Sequence, residues 1–89
     1  MSMPETLRRK LHDAFQPVLL EIEDESHHHA GHAGWRPGGE THFRVRLRAK
    51  AFEGVSRISR HRMVHEVLAE ELRGAIHALT LDLGGPKDH

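Results

Sequence analysis

Cysteine is absent from this 89-residue chain. That excludes a disulfide framework, a thiolate zinc site and a thiol nucleophile, and it fits a soluble reducing compartment such as a bacterial cytosol or an organellar matrix. Net charge is absent too: 13 Lys and Arg balance 13 Asp and Glu. A neutral chain has no strong, non-specific attraction to nucleic acid or anionic lipid. No apolar run approaches the ~18 residues of a membrane helix, and the opening MSMPETLRRKLHDAF lacks the apolar block of a signal peptide. Its basic residues sit at helical spacing, but its acidic residues and its expected place in the core argue against an import signal. There is no Walker loop, dinucleotide fingerprint or Ser-His-Asp set, so nothing in the chain argues for an enzyme.

What the chain has in excess is histidine, ten residues in all. Four of them, His27, His28, His29 and His32, fall within DESHHHAGHAG, residues 24–34. A purification scar would be terminal and unbroken. A short internal tract of this kind is either a solvated loop or a metal-binding one. As neutral imidazoles these side chains are metal ligands, and mild acidification turns them cationic.

Periodicity organises the rest. Ser2 and Glu5 form a capping box with Pro4 in the first turn, and Leu7, Leu11 and Phe15 recur at helical spacing, with Ala14 beside them, until Pro17. In VLLEIED, Val18, Leu20 and Ile22 alternate with Leu19, Glu21 and Glu23, which predicts a half-buried strand. A glycine- and proline-rich loop over residues 25–40 follows; loops of this length tend to be functional or disordered. THFRVRLRA is the clearest strand, with Phe43, Val45 and Leu47 on one face and His42, Arg44, Arg46 and Arg48 on the other. FEG makes a turn at Gly54. A second helix starts at a cap on Ser56 or Ser59, carries Ile58, Val64, Val67, Leu68 and Leu72 as its apolar stripe, and stops at Gly74. IHALTLDL is the last strand, with Leu79, Leu81 and Leu83 on one face and His77 sharing it by alternation. Residues 84–89 read as a frayed tail.

The order αββαβ implies one small α/β domain over residues 1–89. Its mixed three-stranded sheet has the first two strands antiparallel, the last two parallel, and both helices on one face. The arginine face of the middle strand is then expected toward solvent. A domain this small buries only ~60–65% of the surface its unfolded chain exposes.

His77 has two readings: a core or boundary imidazole with one nitrogen hydrogen-bonded, or a fixed metal ligand at the sheet end where the histidine loop opens. His61 and His65 lie one helical turn apart, but without the glutamate of a zinc-protease motif they read as surface or boundary residues. Gly31–Gly34 matches the G-x-x-G of KH-type RNA binders by chance, because it lies between strands rather than helices. Arg44, Arg46, Arg48 and Lys50, and separately Arg57, Arg60 and Arg62, are candidate phosphate contacts. No aromatic residues interleave with the strand stripe to stack bases.

Taken together, DESHHHAGHAG, GGETHFRVRL, FEGVSRISRHRMVHEVLAEEL and IHALTLDL resemble the BolA family, in order and from Glu5 to Leu83. The resemblance implies a fold similar to class II KH domains and partnership with a monothiol glutaredoxin. It further implies a [2Fe–2S] cluster shared between the two, in iron–sulfur cluster trafficking or iron regulation. The glutaredoxin and glutathione supply thiolates, while this chain supplies His77 and a loop ligand, His29 or His32. Histidine ligation of one iron raises the cluster potential relative to all-thiolate ligation. The isolated chain is expected to carry no cluster and to be a monomer or weak dimer. The resemblance also implies an alternative: some of the family are transcriptional regulators of stress response and cell morphology, and Arg57, Arg60 and Arg62 would then contact DNA.

Overall fold

In the computed structural model the described residues are 2–25 and 42–88. Helix α1 spans Met3–Phe15. Its N-terminus is capped as the sequence predicts, with the Glu5 N–H donating to Ser2 Oγ at 3.3 Å, which satisfies one of the orphan amides of the first turn. At the other end Gln16 adopts a left-handed conformation and its N–H donates to His12 O at 2.9 Å. Pro17 follows. Leu7 and Leu11 are fully buried and Phe15 is half-buried, as their spacing on one helix face requires.

Strands β1 (Leu19–Asp24), β2 (His42–Arg48) and β3 (Ala78–Gly84) form one sheet in the order β1-β2-β3. β1 runs antiparallel to β2, with Ile22 opposite Val45, and β2 runs parallel to β3, with Val45 opposite Leu81. Phe43, Val45 and Leu47 are buried to 1% exposure or less, and Leu20, Ile22, Leu79, Leu81 and Leu83 pack against the same core. That face is covered by α1, by α2 (Arg57–Val67) and by α3 (Ala69–Arg73). Phe52 completes the core and meets Phe15 with ring centroids 5.0 Å apart.

The structure departs from the sequence reading in several places. Val18 precedes β1 rather than joining its buried face and is 68% exposed, and Ile58, assigned to the helical stripe, is 66% exposed. Ile58 lies in the first turn of α2. The long second helix is bent at Leu68, whose φ of -103° and ψ of 18° leave the helical region. The Leu72 N–H still donates to Leu68 O at 2.9 Å, so the ladder is distorted rather than broken. Of the two serines only Ser56 caps α2, accepting from the Ser59 N–H at 3.2 Å. The FEG turn is preceded by a single 3₁₀ turn, Lys50–Phe52, and Gly54 supplies the positive φ of 70° that closes it.

The arginine face of β2 is turned toward solvent as expected at Arg44 and Arg46, whose side chains are 57% and 40% exposed, but not at Arg48. That face is neutralised rather than bare. Arg46 reaches Glu21 at 3.5 Å and Asp82 at 3.8 Å, and Arg44 reaches Glu25 at 3.6 Å. Arg48 is buried, its side chain 3% exposed. It donates to Asp82 Oδ1 and Asp82 O, both at 2.9 Å, and to Leu47 O at 3.1 Å and Asp88 O at 3.2 Å. The tail is thereby held as far as Asp88 instead of fraying. Asp88 also accepts from the Gly85 N–H at 2.8 Å. A side chain at Gly84 would meet Asp88 Oδ2 at 2.8 Å, so this close approach requires glycine there.

Between the helices, Lys10 donates to the buried carboxylate of Glu71 at 2.6 Å. This hydrogen bond, above all, holds the Lys10 ammonium above the usual lysine range.

Candidate metal-ligating site

The end of the sheet at which β2 begins is built from three short pieces of backbone. Glu25, just after β1, donates its N–H to His42 O at 2.8 Å. The chain therefore leaves the sheet after Glu25 and returns at His42 on adjacent positions, and the two roots of the 26–41 segment are tied together. β3 enters from the same end, with Ala78 opposite His42. The turn before it is locked by two amides: the Gly74 and Ile76 N–H groups both donate to Glu71 O, at 3.2 and 3.1 Å. Ile76 is buried in the core at 4% exposure.

His77 follows Ile76 and stands outside the strand, exposed, in a bend one residue before Ala78. The alternation that assigned it to the leucine face does not extend back to it, because the strand begins only at Ala78. His77 is therefore not a core imidazole; its exposure fits a boundary position or a ligand. Its ring lies beside that of the half-buried His42, with centroids 6.2 Å apart and planes inclined by 19°. A side chain assigned only to the polar face of β2 is thus a neighbour of His77. The signal that could have found it is the register of a parallel pair: if β2 starts at His42 and β3 just after His77, the two imidazoles share one end of the sheet.

His29 and His32, with His27 and His28, lie outside the described residues. Among the described residues no group of three or more His, Cys, Asp or Glu side chains is arranged to hold a metal ion. Two imidazoles fall short of a complete mononuclear zinc site, which takes three or four protein ligands. They match in kind the pair of histidines that can serve one iron of a [2Fe–2S] cluster. His61 is half-buried and His65 exposed on α2, as expected for surface or boundary residues.

The three arginines of the alternative reading separate. Arg57 and Arg62 are exposed. Arg60 is half-buried, and its guanidinium donates to Phe52 O at 3.0 Å and Leu83 O at 3.2 Å. No helix of the described residues is long and apolar enough to cross a membrane.

This architecture and its residues recur in known proteins. The solved BolA domain of SufE1 from Arabidopsis thaliana superposes with a TM-score of 0.85 at 41% identity, covering 97% of this chain and 94% of that one. An uncharacterized protein of Sinorhizobium sp is 45% identical over 87 residues, which are 97% of this chain and 94% of the relative. BolA-like protein 1 of Homo sapiens is 49% identical over 80 residues, 90% of this chain, and the chain spans only 56% of its length. The DNA-binding transcriptional regulator BolA of Escherichia coli is 46% identical over 81 residues, 91% of this chain and 73% of the relative. The family model described as BolA-like protein matches residues 11–88, from the first helix through the anchored tail. With fold, sequence and coverage in agreement, the chain belongs to the BolA-like protein family.

Proposed function

We propose that this chain is an adaptor that binds a monothiol glutaredoxin and holds one side of a shared [2Fe–2S] cluster through histidines, in iron–sulfur cluster trafficking or iron regulation. The observation that carries the reading is the position of His77. It is exposed, it follows a turn held by two hydrogen bonds to Glu71 O, and it stands beside His42 at the sheet end where the histidine-rich segment departs and returns. A chain with no thiol of its own can use imidazole to bind iron. His77 is the fixed ligand, and His29 or His32 supplies the second from the loop. His42 is placed to orient the His77 ring or to compete as a ligand. The thiolates come from the glutaredoxin and from glutathione, so the cluster is cargo held between two proteins.

The test is co-expression with a monothiol glutaredoxin and glutathione, followed by visible absorption and circular dichroism of the purified pair. His77→Ala should abolish the cluster bands assigned to the mixed complex. His29→Ala, His32→Ala and His42→Ala, compared side by side, identify the second ligand. Spectra unchanged by His77→Ala overturn the proposal.

A second reading, DNA-binding transcriptional regulation, is favoured by the name of the E. coli relative and by the exposure of Arg57 and Arg62 on α2. It requires affinity for duplex DNA that falls steeply with salt, as counterions are released. Absence of binding at low salt removes it.

A further inference from the structure

β1 and β3 are both edge strands, and each edge is guarded by an arginine from the helical layer. Which main-chain groups face outward follows from parity. The Ala49 N–H donates to Gly84 O, so the even-numbered residues of β3 turn their N–H and C=O toward β2, and Leu79, Leu81 and Leu83 turn theirs outward. Arg60 donates to the outward Leu83 O at 3.2 Å. On the far edge, Arg8 donates to Leu20 O at 3.5 Å. Among the described residues nothing bonds to the outward groups of Leu79 and Leu81. Unpaired groups of this kind are a template for another strand.

A groove of about 340 Å³ runs along this edge, lined by Leu81, Asp82 and Leu83 of β3 and by Arg57, Arg60 and His61 of α2. Three consecutive strand residues present side chains to alternate faces. A groove touching all three therefore lies across the strand's outer edge. Its charge is basic. Asp82, the one carboxylate, already meets Arg48 at 2.9 Å and Arg46 at 3.8 Å, and Arg57 is exposed.

We propose that the outer edge of β3 receives an acidic extended segment of a partner protein as a fourth strand, with carboxylates at alternate positions facing Arg57 and His61. The main chain of the incoming strand pairs with Leu79 and Leu81, and charge selects its sequence. The β1 edge does not invite the same ligand, because Glu21 and Glu23 flank it. A second copy is a poorer occupant. Its acidic β1 would have to give up the Arg8 bond, and β1-to-β3 contacts repeat head to tail without closing. The inference is independent of the cluster reading, since it rests on main-chain groups and α2 rather than on the histidine loop.

The experiment titrates the full ¹⁵N-labelled chain with a synthetic peptide, acetyl-Thr-Glu-Val-Glu-Val-Glu-Thr-amide, and with its counterpart carrying Lys in place of Glu. The acidic peptide should shift the Leu79 and Leu81 amides and slow their hydrogen exchange, and it should bind at least roughly tenfold more tightly than the basic one. Arg57→Glu with His61→Glu should reverse that preference. Leu81→Pro removes an outward N–H, together with part of a side chain that packs on the core, and should block pairing; if it fails to fold, the charge-reversal variant decides. Three results overturn the proposal: no change at Leu79 and Leu81 at about millimolar peptide, equal binding of both peptides, or protection of the same amides that rises with protein concentration alone. The last result would assign the edge to a second copy.

Discussion

Replacing Arg48 by Met measures what a buried guanidinium contributes here. Met keeps most of the buried stem and removes the donors to Leu47 O, Asp82 O, Asp82 Oδ1 and Asp88 O. Little is stranded by the change. Leu47 and Asp82 lie on paired strands, and Asp82 O stays on the side facing β2. The Asp82 carboxylate is 56% exposed and remains 3.8 Å from Arg46. The penalty for an orphaned buried acceptor therefore does not arise. What is lost is a charge-assisted bond to a half-exposed carboxylate, discounted for solvent, plus the anchor of the tail, together about 2 kcal/mol. Arg48→Ala also deletes two buried methylenes and leaves a void, which adds about 2 kcal/mol. At ~4–8 °C per kcal/mol for a domain of this size, the Met variant should melt about 8–16 °C below wild type and the Ala variant about twice as far below. Urea and thermal unfolding followed by circular dichroism measure both. Hydrogen exchange at the Gly85 amide, bonded to Asp88 Oδ2 at 2.8 Å, reports release of the tail and should accelerate in both variants. A Met variant within about 0.5 kcal/mol of wild type, with Gly85 still protected, would refute the reasoning.

Three further outcomes are expected. The Lys10 ammonium is held above its usual value of 10.5, chiefly by its hydrogen bond to Glu71; the stability this adds is complete below that value and is lost as pH rises through the higher folded one. Lys10→Met should flatten that alkaline decline in urea midpoints, and an unchanged slope would disprove the link. Ser56→Ala should cost about 1 kcal/mol by removing the cap of α2, while Ser59→Ala, whose N–H rather than hydroxyl makes that bond, should cost less in the same unfolding assay. Gly54→Ala should destabilise by ~1–2 kcal/mol from backbone strain alone, since a Cβ there meets nothing within 4 Å; a neutral result would mean that the turn relaxes.

Much of this architecture is legible in the residues. Leu7, Leu11 and Phe15 announce α1, and the alternation of Phe43, Val45 and Leu47 announces β2, because burial on one face imposes a period of 3.6 or 2 on any chain. Boundaries were less legible. Leu68 carries no proline or glycine to mark the bend, and β3 starts two residues later than its apolar pattern suggests. Ile58 and Val18 fit the period but are left 66% and 68% exposed at the starts of α2 and β1, since period alone does not say where an opposing layer ends.

The candidate site divides in the same way. The histidine-rich tract and the likeness of IHAL to its family single out His77 from the sequence. The pairing of His77 with His42 does not follow from local pattern, because it joins residues 35 positions apart through the register of a parallel strand pair. The fate of the arginine face was equally hidden. Whether Arg44, Arg46 and Arg48 meet solvent or carboxylates depends on which residues of β1 and β3 stand opposite them. Element type, core faces and the absence of thiol chemistry were determined by the sequence alone, because each depends on a residue and its near neighbours. The neutralised strand, the anchored tail and the two imidazoles at one end of the sheet were decided only by tertiary structure, because each depends on partners brought together by strand order and register.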